Sequence, residues 1–351
     1  MKMIHTADVH LGALPDRGRS WSQERGQDIW NTFRRLIAAV RAEKADLLLI
    51  AGDFFHRQPL LRELKEVNYL FSTIPDTTVV LTAGNHDYLK RDSHYPGFPW
   101  GENVVGLWEE RCRRISIPGK NACVYGCSYH QREIRENLYA GVRPEGREAY
   151  HILLAHGGDE NHSPLDLREI RAAGFTYAAL GHIHKPQILV PDRVAYSGAL
   201  EPIDREDEGK HGYMRVICQG KSVHAEFIPF ASRSYITLEL PATEETTQFS
   251  LEEESHRRIR EAGEKNIFRL HLTGTRGAGT EFSASRLAQT GRVADVQDDT
   301  RPSCDLRELS RVYGGTLIGD YVDSFSGKNS PAEQKALFYG VEALLEARKD
   351  L

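Results

Sequence analysis

Val79-Val80-Leu81-Thr82-Ala83-Gly84-Asn85-His86-Asp87 joins an apolar run of strand character to a glycine and three polar, potentially ligating side chains. Gly84 lets the backbone turn sharply without a Cβ penalty. Asn85, His86 and Asp87 then offer an amide oxygen, an imidazole and a carboxylate. For these residues alone, a turn capped by Asn and Asp with a solvated His is as good a reading as a ligand site. The pattern elsewhere in the chain decides between them.

Upstream, residues 46–51 are apolar enough for a strand buried on both faces, and they stop at Gly52-Asp53-Phe54-Phe55-His56. Residues 2–7 read as a first buried strand, followed by Asp8 and His10. That i, i+2 spacing points both side chains the same way in extended backbone, so together they can grip one metal ion. His5, inside the strand, is expected to be a core histidine. Ile29, Trp30, Phe33, Leu36, Ile37 and Val40 recur at helical spacing within residues 20–43, as do Leu60, Leu64, Val67 and Phe71 within 59–71. Both segments read as amphipathic helices that cover a sheet. Successive strand–helix units thus deliver polar residues to strand ends, where ligand sites of α/β sheets gather.

Downstream, residues 88–100 form an aromatic loop carrying Lys90, Arg91, His94 and Tyr95. It either holds a nucleic-acid backbone or packs on its own aromatics. Short strands near 103–108, 112–117 and 122–128 suggest a second sheet stacked on the first. Residues 150–155 are another buried strand, ending in His156-Gly157-Gly158-Asp159 with His156 as the candidate ligand. A helix with Ser163 as N-cap and Pro164 at its first position is expected to run to Gly174. The strand at 177–180 leads into Gly181-His182-Ile183-His184, a His-x-His pair after one more glycine. Strands near 187–190, 193–196, 212–219 and 222–228 are expected to complete the second sheet.

Beyond Pro229 the ligand clusters stop, and a β-α-β-α-β pattern predicts a small α+β cap over residues 233–325 after a first domain of 1–232. Residues 326–351 hold a last helix, opened by the capping box Ser330-Pro331-Ala332-Glu333. Its face of Leu337, Phe338, Val341, Leu344 and Leu345 packs on the cap or on a partner. The expected fold class is α/β: two stacked mixed sheets flanked by helices, with the smaller α+β cap.

The 351 residues suffice for two domains, and 40% hydrophobic with 27% charged residues is ordinary for a globular protein. A formal charge of −5 argues against a basic nucleic-acid-coating tail, so an anionic substrate must be attracted locally. The five cysteines include no CxxC pair and read as reduced core thiols of a cytoplasmic protein. No signal-peptide pattern opens the chain, and no apolar run approaches the roughly 20 residues of a membrane span. No membrane association is expected.

Asp8, His10, Asp53, Asn85, His156, His182 and His184 together are ligand enough for two metal ions. Imidazole, carboxylate and amide oxygen without thiolate suit Mn²⁺, Fe²⁺ or Zn²⁺, and ligands drawn from several strand ends argue for a catalytic centre over a structural zinc. Asp53 can bridge both ions. Two such ions share a hydroxide nucleophile, clamp a phosphate and stabilise the charge of an in-line displacement. His156-Gly157-Gly158 is a weak echo of an esterase oxyanion motif, but no G-x-S-x-G elbow accompanies it, and Gly327-Lys328 lacks the upstream glycine of a P-loop. A scaffold without catalysis would show gaps in the ligand set, and there are none.

The blocks D-x-H at 8–10, G-D-x-x-H at 52–56, G-N-H-D at 84–87, His156 and G-H-x-H at 181–184 resemble the calcineurin-like metallophosphoesterase superfamily over roughly residues 1–230. His56, the Gly84–Asp87 form and Tyr196-Ser197-Gly198-Ala199-Leu200-Glu201 resemble its SbcD-like and YhaO-like DNA repair exonuclease branch, relatives of the eukaryotic Mre nuclease. The resemblance implies one metal on Asp8, His10, Asp53 and His184 and another on Asp53, Asn85, His156 and His182, with Mn²⁺ the usual activator. It implies that His86, oriented by Asp87, stabilises the transition state or protonates the leaving oxygen, and that His56 supports the site. The implied activity is exonuclease on duplex ends and endonuclease on single strands, with DNA, an SMC-type ATPase of the SbcC kind and a second copy of the chain as partners. Relatives that work with the ATPase continue past the cap into helices, for which this sequence has only 330–351. DNA contacts are expected from Lys90, Arg91 and Tyr95. Arg113, Arg114, Arg132 and Arg135 either extend that track or are solvated surface residues. The alternatives are a phosphodiesterase on nucleotides or other small esters, and a DNA-end-binding subunit with minor catalysis.

Overall fold

Alternating apolar residues along the strands sort the first part of the chain into layers. The computed structural model describes residues 1–277, 279–303, 306–328 and 330–349, and the chain divides into two compact units, Met1–Ser234 and Tyr235–Leu351. The first unit runs β1 (Lys2–Thr6), α1 (Ser22–Glu43), β2 (Leu47–Ala51), α2 (Leu61–Ser72), β3 (Thr78–Thr82), α3 (His94–Gly97) and β4 (Val104–Gly106). It continues through β5 (Arg113–Ile117), β6 (Ala122–Gly126), β7 (Tyr150–His156), α4 (Leu167–Ala173), β8 (Tyr177–Gly181), β9 (Gln187–Val190), β10 (Val194–Tyr196), β11 (Gly212–Gln219) and β12 (Ser222–Pro229).

One sheet has the order β12-β11-β1-β2-β3-β4 and the other β5-β6-β7-β8-β10-β9. Strand side chains alternate between faces. Met3, Leu47, Leu49 and Val80 therefore meet Val124, Ile152, Leu154 and Ala179 between the sheets. Ile4, Leu48, Ile50, Val79 and Leu81 face the other way, onto Phe33, Leu36, Leu64 and Phe71 of α1 and α2. On the far face of the second sheet, Leu153, Ala155, Ala178 and Leu180 pack with Ile170 and Phe175. The result is the helix–sheet–sheet–helix sandwich expected. Each large aliphatic side chain so buried contributes about 1.5–3 kcal/mol.

Two expectations fail in detail. The hairpin β11–β12 joins the first sheet, where β11 pairs antiparallel with β1 (Lys2↔Ile217), and β4 extends the same sheet at the other side (Val79↔Val104). Alternation specifies which face of a strand is buried, but leaves open which free edge accepts it. The helix expected from Ser163 begins instead at Leu167, with Asp166 accepting from the N–H groups of Arg168 and Glu169. Ser163 is buried with φ 42°, and its hydroxyl accepts from Leu138 N at 3.1 Å.

The second unit comprises β13 (Tyr235–Ala242), α5 (Gln248–Ala262), β14 (Ile267–Arg276), α6 (Ala284–Leu287), β15 (Val293–Asp298) and β16 (Arg301–Pro302). β13, β14 and β15 pair in parallel around Leu240, Phe268, Leu270 and Leu272. α7 (Leu306–Val312) and α8 (Leu317–Ser324) were not anticipated; they precede α9 (Pro331–Lys349). Ser330 N donates to the Glu333 carboxylate at 3.0 Å and Glu333 N to the Ser330 hydroxyl at 3.3 Å, closing the capping box. Leu337, Val341 and Leu345 of α9 pack with Val322, Phe325 and Leu309, so these three side chains are covered from within their own unit, while Phe338 and Leu344 stay half-buried. Among the described residues no helix is long and apolar enough to cross a membrane. Cys112, Cys123, Cys127 and Cys218 are free thiols, and Cys304 lies outside the described residues.

Candidate metal centre

The polar residues that follow β1, β2, β3, β7 and β8 converge at one end of the sandwich. Beyond the strands, the first two segments remain side by side: Asp8 N donates to Gly52 O at 3.2 Å and His10 N to Asp53 O at 3.1 Å. Asp8 (φ 50°), His10 (φ 50°), Asp53 (φ 48°) and His182 (φ 98°) all sit in the left-handed region, a conformation that costs a non-glycine residue about 1–3 kcal/mol and gathers at functional sites. Gly84 leaves room for this: a Cβ there would lie 2.6 Å from Asp53 N and 2.7 Å from His156 Cε1. At Gly52 a Cβ would overlap the His156 ring.

Every expected ligand reaches the cluster. His10 Nε2 lies 3.2 Å from His184 Nε2 and 3.9 Å from Asp53 Oδ2. Asp8, His10 and His184 present ligand atoms within 4.8 Å of one another, as do Asp8, Asp53 and His156. Asn85 Oδ1 stands 2.9 Å from His156 Nε2 and 3.1 Å from His182 Nδ1. His156 Nδ1 donates to Ala51 O at 2.8 Å, and His182 Nε2 donates to Asp159 at 2.7 Å. With one nitrogen protonated in each neutral ring, the nitrogens that face Asn85 carry lone pairs. Two lone pairs then confront a carbonyl oxygen, also an acceptor, at hydrogen-bond distance in a buried place. A cation between them satisfies all three, so the residues fit a metal ion.

The electrostatics agree. Burial pushes the Asp8 carboxyl up to about 8, against the pull of His184. Burial, then the neighbouring imidazoles, hold His10 well below the usual histidine range, and burial brings His156 to about 4. At His184 burial is outweighed by Asp207, Asp8 and Asp53, which raise it to about 9. A field that retains a proton there also attracts a metal cation.

His86 and His56 stand beside the ligands. Their rings stack at 5.0 Å, His86 is 4.8 Å from the His10 ring, and His86 N donates to Asp53 Oδ1 at 2.8 Å. His86 Nδ1 donates to His56 O at 3.2 Å. Burial, then His86, lowers His56 to about 4.

Asp87 does not orient His86. Its carboxylate accepts from Gly84 N at 2.7 Å and Phe55 N at 3.1 Å, bracing the two glycine-led loops against each other. Tyr95 is no DNA contact: it is fully buried, ringed by Phe55, Trp100 and Trp108. In the loop the packing of aromatics prevails there, while Lys90 and Arg91 are exposed. His5 is the core histidine expected, its ring between Tyr177 OH at 3.0 Å and Leu180 O at 3.2 Å.

Two further carboxylates join the centre without a sequence motif to mark them. Asp159 accepts from His182, and Asp207 lies 3.1 Å from His184 Nδ1. Asp159 stands in the stretch already quoted after β7, whereas Asp207 is one acid in the charged run 204–208 and carries no local signal. Remote from this centre, Cys123, Glu148 and His151 also draw together, but Arg114 pairs with Glu148 there and supplies the positive charge.

Residues 1–186 match the family model of the calcineurin-like phosphoesterases, more than half of the chain, which belongs to that family and is a metal-dependent phosphodiesterase. It is 28% identical over 364 residues to the metallophosphoesterase YhaO of Bacillus subtilis, covering 90% of this chain and 86% of that protein. It is 29% identical over 233 residues to the DNA double-strand break repair protein Mre11 of Methanocaldococcus jannaschii, covering 61% of this chain and 62% of that one. Mre11 of Methanopyrus kandleri is 27% identical over 355 residues, 89% of this chain and 76% of the relative.

Proposed function

We propose that the chain is a Mn²⁺-dependent DNA phosphodiesterase, an exonuclease on duplex ends and an endonuclease on single strands, acting in DNA repair in the cytoplasm. The observation that carries the reading is the convergence on Asn85 Oδ1 of His156 Nε2 and His182 Nδ1, at 2.9 and 3.1 Å, next to the Asp8–His10–His184 group. Asp8, His10, Asp53 and His184 would hold one divalent ion, and Asp53, Asn85, His156 and His182 the second. When bound, two such ions supply Lewis-acid charge for the phosphate and an activated water near neutral pH. The chain's own residues do the rest. His86 Nδ1 donates to His56 O, so the proton for the leaving oxygen is the second one of the imidazolium form, on Nε2, and its transfer returns the ring to the neutral Nδ1–H tautomer. His56 stays neutral beside it and holds the ring plane by stacking. Lys90 and Arg91, exposed on the loop after Asp87, meet backbone phosphates. The Mre11 names of two relatives support DNA as the substrate, and by the same likeness an SMC-type ATPase and a second copy of the chain are the proposed partners.

A second reading, hydrolysis of nucleotides or other small phosphodiesters, draws on one observation. Arg113 pairs with Glu109, Arg114 with Glu148 and Arg57 with Glu63, which leaves a weaker basic track than duplex binding normally uses. Purified protein with Mn²⁺ at stated low salt, given end-labelled duplex, single-stranded circles and bis-p-nitrophenyl phosphate, separates the two. Degradation of DNA that Asp53→Ala and His86→Ala both abolish supports the nuclease. Turnover of the small diester with DNA left intact, even with the ATPase partner added, favours the second reading.

A further inference from the structure

The four imidazoles expected to ligate are not fixed alike. His156 gives its remote proton to a main-chain carbonyl, Ala51 O at 2.8 Å, and His10 has its remote nitrogen 3.3 Å from His56 Nδ1. The two histidines of the His-x-His pair each lean on a carboxylate, and those carboxylates differ. Asp207 is 10% exposed; its Oδ2 accepts from Ile203 N at 3.0 Å and Asp204 N at 3.1 Å, and His184 is the side chain it serves. Asp159 also accepts two backbone N–H groups, Asn161 N at 2.8 Å and His162 N at 3.0 Å, but it is 45% exposed and divided between two imidazoles, His182 Nε2 at 2.7 Å and His162 Nδ1 at 2.9 Å. The His162 ring lies 4.6 Å from that of His182.

The donor sets differ in the same direction. On the two-ion assignment above, the group around His184 counts Asp8 as a ligand as well as Asp53, and Asp8 also comes within 4.8 Å of the ligand atom of His156. The group around His182 has the neutral Asn85 in that place. A carboxylate that orients a ligating imidazole also raises its basicity, and removing such a partner typically weakens metal affinity by about 10–100-fold.

We propose that Asp207 and Asp159 are positioning residues that hold the two halves of the centre unequally, so that the ion at Asn85, His156 and His182 is the exchangeable one and the Asp159–His162 pair controls its retention. This rests on the two-ion reading given above. The ion at Asp8, His10 and His184 stays resident, because its imidazole is clamped by a carboxylate that solvent hardly reaches and that, among the described residues, bonds no other imidazole; the neighbouring His211 ring is taken by the Asp207 main-chain carbonyl at 3.0 Å.

Isothermal titration of the metal-stripped full chain with Mn²⁺, followed by electron paramagnetic resonance of the loaded protein, tests this without any substrate. Wild type is expected to take up two ions in separable events. Asp159→Asn weakens only the weaker event, by about 10–100-fold, and Asp207→Asn only the tighter one by a similar factor. The asparagine oxygen at 207 can still accept from Ile203 and Asp204, which protects the turn. Asp159 sits on an exposed turn, so Asp159→Asn decides the matter alone if the other variant melts early in its metal-free form. Two equal events in wild type, or a loss on the tight event in Asp159→Asn, overturns the proposal. Uptake of fewer than two ions by wild type overturns the two-ion reading beneath it, a distinguishable result.

Discussion

Both units of this chain contain parallel strands joined by helices, yet the strand ends behave differently in the two. After β1, β2 and β8 the backbone turns left-handed at Asp8, Asp53 and His182, and lone pairs are packed against one another. At the ends of β13, β14 and β15 polar groups find partners within the unit: Thr243 N with the Thr246 hydroxyl at 2.8 Å, Arg276 with Glu342 at 2.7 Å, the Thr300 hydroxyl with Asp298 at 2.6 Å. The second unit even has a histidine in its sheet, His271, and it is paired with Asp299 at 3.0 Å. Parallel β-α-β architecture therefore supplies a place for a site, and the site itself comes from polar groups that the fold gathers and leaves unsatisfied. An unsatisfied buried polar group costs about 1–3 kcal/mol. The lone pairs gathered around Asn85 in the first unit mark where a ligand is meant to be.

The sharpest break in that contrast is His86→Ala. Loss of a general acid lowers turnover by about 10²–10⁴-fold, and steady-state hydrolysis of bis-p-nitrophenyl phosphate reads it directly; His271→Ala is expected to leave the same rate unchanged. Leu270→Ala, in the core of the second unit, should cost about 2–5 kcal/mol of that unit's stability. Calorimetry of the metal-free chain is expected to show it while turnover of the small diester persists at temperatures below the transition.

Gly52→Ala should cost about 1–3 kcal/mol through overpacking, since the new methyl meets the His156 ring and the backbone there has φ 79°. Mn²⁺ uptake, measured beside the melting temperature, is expected to fall with it. A variant that binds both ions normally would show that the close approach of this loop to His156 is dispensable.

His5 tests burial without metal chemistry. Burial lowers its pKa from 6.5 to about 3, opposed by its bond to Leu180 O. Between those values the unfolded chain binds a proton that the folded chain refuses. Stability is therefore lost as pH falls from 6.5 toward 3, with a slope of about 1.4 kcal/mol per pH unit for that one proton. His5→Gln should reduce the slope by that amount in urea titrations across the window.

The smallest effect is expected at the rim. Lys90→Ala and Arg91→Ala should each reduce the slope of log affinity for DNA against log salt by about one, with small-diester turnover unchanged. An unaltered salt slope would remove this loop from the DNA path.

The cluster of expected ligands was legible because each of them stands at or just beyond the end of a buried strand, with a glycine directly before Asp53, Asn85 and His182 and directly after His156, so local pattern and chemistry coincide at Asp8, His10, Asp53, Asn85, His156, His182 and His184. His5 was readable as core for the same reason, lying inside an apolar strand. What tertiary structure alone decided are matters of long range. Asp207 comes within 3.1 Å of His184 across 23 residues of chain, and nothing in its own neighbourhood distinguishes it from the acids beside it. Asp87 braces Phe55 and Gly84 instead of steering His86, because two backbone N–H groups reach its carboxylate first. Tyr95 looked like a rim aromatic and is core, since Phe55, Trp100 and Trp108 close over it. The β11–β12 hairpin chose the edge of β1, a choice that alternation cannot express. Sequence by itself determined which residue types stand at strand ends and which faces are buried; the fold decided the partners, because hydrogen bonds and packing act through space between segments that the chain keeps apart.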